Sequence, residues 1–213
     1  MHLLHPMLRI VLFVILTLAT CAIAADYDGV KPPYVEVGDC WSYQAEGYFY
    51  QGHFREYEVC IARIDKDRDL IQAVATLDKG DREIDVSYSL DWGAVTDLAG
   101  VTLSPAARYM KFPLTIGDRY SLEIAYSDPR NSATVGGTSW NMTVAGWESV
   151  TVPAGTFRAI KIDGIGRTSH NRGDNYVSIQ IWYVPEVNRS VKSMFRSPTI
   201  RRVEELTSYR LNR

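Results

Sequence analysis

Alternation with a period of two dominates the chain. Tyr120, Leu122, Ile124 and Tyr126 alternate with Ser121, Glu123, Ala125 and Ser127. Val177, Ile179, Ile181 and Tyr183 alternate with Ser178, Gln180 and Trp182, and Val86, Tyr88, Leu90 and Trp92 repeat the pattern. Successive strand side chains point to opposite faces, so each run predicts a strand with one face on a core. Turn-forming residues punctuate these runs at Gln51-Gly52, Asp65-Lys66-Asp67, Lys79-Gly80-Asp81, Gly136-Gly137, Pro153-Ala154-Gly155 and Gly164 to Gly166. Only Leu98 to Tyr109 has room for a helical turn, and Pro105 limits it. The polar stretch Asp128 to Ser139 predicts a mobile loop beside a mouth or an edge. The sum is an all-β, mainly antiparallel protein of about nine to eleven strands, built as a curved sheet, an open barrel or a sandwich.

One internal echo stands out. Val35-Glu36-Val37-Gly38-Asp39-Cys40-Trp41-Ser42 parallels Leu114-Thr115-Ile116-Gly117-Asp118-Arg119-Tyr120-Ser121. In each, Gly-Asp supplies turn chemistry and the aromatic opens the inward face of the next strand. Two readings stand. The favoured one is a common turn-plus-strand solution used twice. The other is a duplication, with two similar halves of one domain dividing near 110–113.

The N-terminal residues set the compartment. Arg9 precedes an apolar run from Ile10 to Leu16 that continues to Ala19, followed by Ala22-Ile23-Ala24. Basic residue, apolar core and small-x-small triplet in that order predict a signal peptide over 1–25 and a single β-rich domain over 26–213. The run is short of the ~20 apolar residues of a membrane span, so no transmembrane segment is expected after cleavage. A retained anchor is one alternative. Lipidation at Cys21 is another, since Leu18-Ala19-Thr20-Cys21 is similar to a lipobox, although Thr20 is a poor residue for it. The expected location is the periplasm, or export beyond it.

Cleavage changes the cysteine and charge counts. Cys40 and Cys60 remain, on predicted strands either side of a turn near Gln51-Gly52, and pairing about residue 50 sets them opposite each other. An oxidising compartment then favours a cross-hairpin disulfide over two buried thiols. Losing Arg9 leaves 22 basic against 25 acidic side chains, a net −3. No basic stripe points to nucleic acid.

Two C-terminal stretches carry a resemblance. Val150-Thr151-Val152-Pro153-Ala154-Gly155-Thr156-Phe157 is the first. Ile181-Trp182-Tyr183-Val184-Pro185 with Val191-Lys192, ending in Glu205-Leu206-Thr207-Ser208-Tyr209, is the second. Together with Phe112-Pro113-Leu114 to Gly117-Asp118, this half of the chain resembles a broad family of secreted bacterial envelope β domains with a V-P-A-G-T-F, W-Y-x-P, V-K pattern. Asn188 stands where such relatives often carry Gly, and Asn also tolerates left-handed backbone. The resemblance implies an exported β domain, with a curved sheet similar to periplasmic lipid carriers, and no catalytic residues.

Candidate chemistry is sparse. Beyond the leader only His53 and His170 remain, and no G-x-S-x-G nucleophile elbow occurs. His170 and Asp174 fall in a turn-like stretch. Asp65, Asp67 and Asp69 imitate a calcium loop, but Leu70 and Thr76 occupy the positions that need Gly and Glu. No metal or cofactor is implied. Asn141-Met142-Thr143 and Asn188-Arg189-Ser190 match the glycosylation triplet, a coincidence in a bacterial protein.

Aromatic residues are the suggestive feature. Tyr48-Phe49-Tyr50 sits near a hairpin tip where polar residues are the norm, flanked by Trp41, Tyr43, Phe54 and Tyr57. Neighbouring aromatics on a strand face opposite ways, so either a second layer covers one face or it forms an aromatic platform. Trp182-Tyr183 carries the same ambiguity. Trp41, Tyr48, Phe49, Tyr50, Trp92 and Trp182 are the candidate contacts for a lipid or other amphipathic ligand, or for an envelope protein. The leading expectation is a non-catalytic exported binding domain. The alternatives are an envelope-assembly module that pairs through edge strands, and a polymer hydrolase using unassigned carboxylates.

Overall fold

A computed structural model describes residues 29–47, 56–170 and 173–213. The leader, Cys21, Tyr48-Phe49-Tyr50, His53 and Phe54 lie outside the described residues. The described residues form an up-and-down meander of twelve antiparallel strands closed into one barrel. The first six are β1 (Cys40–Gly47), β2 (Glu56–Asp65), β3 (Leu70–Leu77), β4 (Arg82–Tyr88), β5 (Ala94–Thr96) and β6 (Thr102–Ala107). The second six are β7 (Arg119–Asp128), β8 (Asn131–Val152), β9 (Gly155–His170), β10 (Gly173–Val184), β11 (Arg189–Arg196) and β12 (Arg201–Arg210). Each strand pairs with its sequence neighbours, and β1 pairs with β12 from Cys40↔Arg210 to Gly47↔Arg202, which completes the ring.

The all-β antiparallel class agrees with the alternation, but the detail differs from the expected curved sheet, open barrel or sandwich of nine to eleven strands. The ring is closed by the β1–β12 pairing and has twelve members; the sequence count falls short because β5 and β6 are short and carry no alternating apolar pattern. Leu98 to Tyr109 holds β6 in place of a helical turn. Pro105, which has no N–H for a ladder, falls where β6 parts from β7 after Ser104↔Ala125.

Three further expectations are corrected. Asp128 to Ser139 is not a loop: β8 begins at Asn131, and Gly136 and Gly137 pair with β7 on one side and β9 on the other. Gly164 and Gly166 lie inside β9 and mark close packing. A Cβ on Gly164 would sit 2.5 Å from Met142 Sδ, and one on Gly166 would sit 2.5 Å from the Ser139 carbonyl and 2.7 Å from the Trp140 ring. The run Val86 to Trp92 stops being a strand at Tyr88. Ser89 to Trp92 form a turn in which the Trp92 N–H donates to the Ser89 carbonyl at 3.0 Å.

Trp41, Tyr43, Val59, Ile71, Ala75, Val86, Ile124, Met142, Ile162, Ile181 and Leu206 are buried inside the ring. The outer wall exposes Glu58, Gln72, Glu83, Asp85, Glu123 and Arg167. Apolar-in, polar-out is the reverse of a transmembrane barrel, whose outward band is apolar. Among the described residues no helix is long and apolar enough to cross a membrane.

The two echoed segments share a local geometry. Gly38 and Gly117 both have φ of 90°. The Gly38 N–H donates to the Ile61 carbonyl and the Gly117 N–H to the Val144 carbonyl, both at 2.9 Å. Ile61 and Val144 return bonds to the Asp39 and Asp118 carbonyls, again at 2.9 Å. Each time the partner strand has a register shift just beyond, between Ile61 and Arg63 and between Val144 and Gly146.

Cys40 and Cys60 face each other across β1 and β2 and form the expected disulfide. It closes a loop of 20 residues, so a Cys40→Ser/Cys60→Ser double variant should lose about 3 kcal/mol in urea unfolding. A loss below about 0.5 kcal/mol would show that β1 and β2 need no bond to stay registered. Gly166→Ala should cost about 1–3 kcal/mol through overpacking against Trp140 and the Ser139 backbone. An unchanged urea midpoint would contradict that packing.

Candidate functional site

The barrel interior is wide enough that its own side chains do not fill it. A cavity of about 300 Å³ remains. Its lining runs from Arg82, Asp97, Ala99 and Arg202, at the end where β3–β4, β5–β6 and β11–β12 turn, to Trp92 and Arg189 at the opposite end. Between them lie Tyr43, Tyr57, Tyr88 and Tyr109 with Leu103, Met110, Ile179 and Ile181. Apolar walls with a few convergent polar groups are the usual make-up of a small-molecule site.

Aromatic stacking builds the deep end. Trp41 meets Trp92 edge-on at 5.5 Å, and Tyr88 meets Trp92 edge-on at 5.2 Å. The Trp41 indole N–H donates to the Val187 carbonyl at 2.9 Å, and that of Trp92 to the Asn188 carbonyl at 2.6 Å. Asn188 adopts φ of 57°, the left-handed turn that Asn tolerates. Its side-chain amide donates to the Tyr34 carbonyl at 2.7 Å, so the glycosylation triplet lies in a buried, bonded turn.

Arg189 follows that turn as the first residue of β11. Its guanidinium carbon lies 4.2 Å from the Trp92 ring centroid, 4.9 Å from Tyr88 and 5.2 Å from Trp41. One amino group donates to the Tyr88 hydroxyl at 3.1 Å. Burial works against the charge, but the oxygens of Tyr88, Tyr43 and Tyr57 outweigh it and hold the Arg189 pKa above its ordinary value. Tyr43 and Tyr57 stack at 5.1 Å, and the Tyr43 hydroxyl donates to the Ser190 carbonyl at 2.7 Å. Burial pushes both phenols well above their ordinary pKa, against a smaller opposing pull from Arg189.

The acidic groups of the cavity are engaged elsewhere. Asp97 accepts from the Ala99 and Val101 N–H groups at 2.9 and 3.0 Å. Burial raises its pKa, and those two backbone bonds oppose the rise. Glu204 accepts from Ser193 Oγ at 2.6 Å and lies 3.9 Å from the Arg202 Nε.

Of the candidate contacts, Trp92 lines the cavity and Trp41 packs fully buried behind it. Trp182 does not join them. It points to the outer wall and is only 7% exposed, under Lys161 and Lys192 at 5.4 and 5.9 Å and with its indole N–H on Glu148. The second layer over Trp182 is therefore made by charged side chains and their stems. Tyr48, Phe49 and Tyr50 lie outside the described residues. The cavity residues missed from sequence are Tyr88, Tyr109 and above all Arg189, which reads there only as the middle of a triplet. An arginine placed directly after a left-handed Asn turn and opposite the Tyr88-x-x-x-Trp92 turn was the available signal.

A second concavity of about 750 Å³ lies outside the barrel, between Pro33 to Val37 and Arg63 to Asp67, and is open to solvent. Among the described residues one metal-type cluster occurs, Cys40, Glu58 and Cys60, and its two sulfurs are joined in the disulfide.

Neither a protein-family profile nor a curated protein matches the chain. Solved structures do. A putative exported protein with a YmcC-like fold from Bacteroides fragilis NCTC 9343 superposes with a TM-score of 0.55 at 14% identity, over 85% of this chain and 99% of that one. A putative lipoprotein from Parabacteroides distasonis ATCC 8503 gives 0.54 at 15% identity, over 87% and 100%. The hypothetical lipoprotein YmcC from Escherichia coli K12 gives 0.50 at 10% identity, over 80% and 87%. At these identities the likeness establishes a YmcC-like fold.

Burial makes the inner tyrosines a pH sensor of folding. Tyr109 and Tyr120 are pushed up to about 12, and Tyr43, Tyr57 and Tyr183 are also raised by burial. In the unfolded chain they titrate near ~10. Above that pH the unfolded state holds fewer protons than the native one, so stability should be level below about pH 10 and fall from there through about pH 12. Urea midpoints against pH, with tyrosinate absorbance, test this. Full tyrosinate absorbance near pH 10 with the fold intact would contradict the buried phenols.

Proposed function

We propose that this chain is an exported, non-catalytic binding protein that holds one amphipathic small molecule inside its barrel. The observation that carries the reading is the 300 Å³ cavity, walled by leucine, isoleucine and tyrosine and ending on a charged arginine. Export is supported by the leader pattern of residues 9–24, by the resemblance of the C-terminal half to secreted envelope domains, and by the names of the structural neighbours. A non-catalytic role fits the two inner carboxylates, Asp97 and Glu204, each of which is already engaged by hydrogen bonds from its own surroundings.

A second reading has one observation in its favour. β6 pairs with β7 over only Thr102 to Ser104, so the β7 edge from Arg119 to Ile124 faces no described strand on that side. An added strand from a partner protein is the chemistry such an edge takes.

The two readings separate in one experiment. Protein exported into an oxidising compartment should show a bound small molecule by native mass spectrometry. Ala94→Phe, which fills the cavity from β5, should lose it with the urea midpoint changed by less than about 2 kcal/mol in stability. A bare polypeptide mass, with no uptake of medium-chain amphiphiles on titration, would sink the cavity reading. A co-purifying protein released by a proline placed at Glu123 would replace it with the edge reading.

A further inference from the structure

Arg189 carries a buried guanidinium that meets no counter-ion among the described residues. The described residues form ion pairs at Arg63, Arg68, Lys79, Arg108, Arg130, Lys161, Arg167, Lys192 and Arg202, and Arg189 is in none of them. Its Nη1 is buried and has no acceptor among the described residues. The two carboxylates of the cavity are engaged by Ala99, Val101, Ser193 and Arg202, and neither forms an ion pair with Arg189. Aromatic faces stabilise a guanidinium, but they supply no lone pair to its N–H groups. Leaving a charged donor unmet in a buried site is costly, so such a group calls for a partner, be it a ligand, an ion or a water. Arginine is also the side chain best shaped for a carboxylate, offering parallel N–H donors.

Resting on the cavity reading above, we propose that the ligand is anionic, a single-chain carboxylic acid whose carboxylate seats on Arg189 and whose tail lies along Ile179, Ile181, Leu103 and Met110. The tail walls are apolar and lie between the Arg189 end and the Arg82–Arg202 rim. The volume sets the length: 300 Å³ holds on the order of ten groups the size of water or a methylene. A medium-chain fatty acid fits, and a two-chain phospholipid does not. Cationic amphiphiles are disfavoured, because Arg189 occupies the aromatic cage that would otherwise take them.

Calorimetric titration of the purified full-length protein with decanoate, 1-decanol and decyltrimethylammonium decides it. Decanoate should bind at least tenfold more tightly than decanol, and the ammonium should bind weakest. Arg189→Gln should bring decanoate down to the decanol affinity while leaving decanol within about twofold. Equal binding of decanoate and decanol to the unaltered protein overturns the anion and leaves the cavity reading standing. Failure of all three to bind overturns both. Preference for the ammonium reverses the assignment. Should Arg189→Gln fail to fold, the three probes on the unaltered protein still give the answer.

Discussion

Closing twelve strands into one ring fixes the interior width before any side chain is chosen. Eight strands leave an interior that side chains just fill, and each added strand widens it. This chain meets the excess by filling one end and leaving the other. Trp41, Trp92, Leu114 and Tyr183 crowd the end where β10 turns into β11, and Phe112 meets Tyr183 edge-on at 5.2 Å. Leu114 arrives from the link between β6 and β7 and bridges to Val30, so the closed end is sealed by chain outside the strands as well. Glycines take the remaining strain: at 164 and 166 the β9 backbone sits where a side chain would collide with Met142 and Trp140. The cavity is what the ring geometry leaves over, and its chemistry is set by which side chains face it.

Among those side chains Arg189 stands out, a guanidinium with a buried Nη1 and no ion-pair partner among the described residues. Its neighbours treat it as a cation: three aromatic faces, one hydroxyl acceptor and a surrounding set of phenol oxygens. The aromatics that hold it are themselves locked, since both indole N–H groups donate to the carbonyls of the turn that precedes it. The group is therefore held in place ahead of any ligand, which lowers the ordering cost of binding.

The class of the fold was legible because period-two alternation survives in β7 and β10, where one face meets the interior and the other water. It failed where the interior is contributed by short strands: nothing in Ala94-Val95-Thr96 signals a ladder. Closure was out of reach, since it depends on β1 meeting β12 across the length of the domain. The glycines of β8 and β9 were misread as punctuation because a glycine that yields to a neighbour's ring and one that turns the chain look alike in a sequence. The Cys40–Cys60 bond was legible, because hairpin register is counted outward from its turn. The candidate site was half legible. Trp92 announced itself as a large aromatic, and Trp182 did so equally but faces outward. Arg189 did not, since a charged residue normally signals the surface.

The wall of the barrel is uneven in strength. β8 and β9 are laddered from Gly136↔His170 to Val152↔Gly155, whereas β5 is tied at Ser87↔Thr96 and Tyr88↔Ala94 on one side and Ala94↔Ala107 and Thr96↔Thr102 on the other. Regions with few ladder bonds and partial exposure open at the lowest free energy. That weak arc carries Ala94, Asp97, Leu98, Ala99 and Leu103, all of them cavity residues. On this pattern of ladder bonds, local opening is expected to cost least at β5, beside the cavity, and most along the β8–β9 wall.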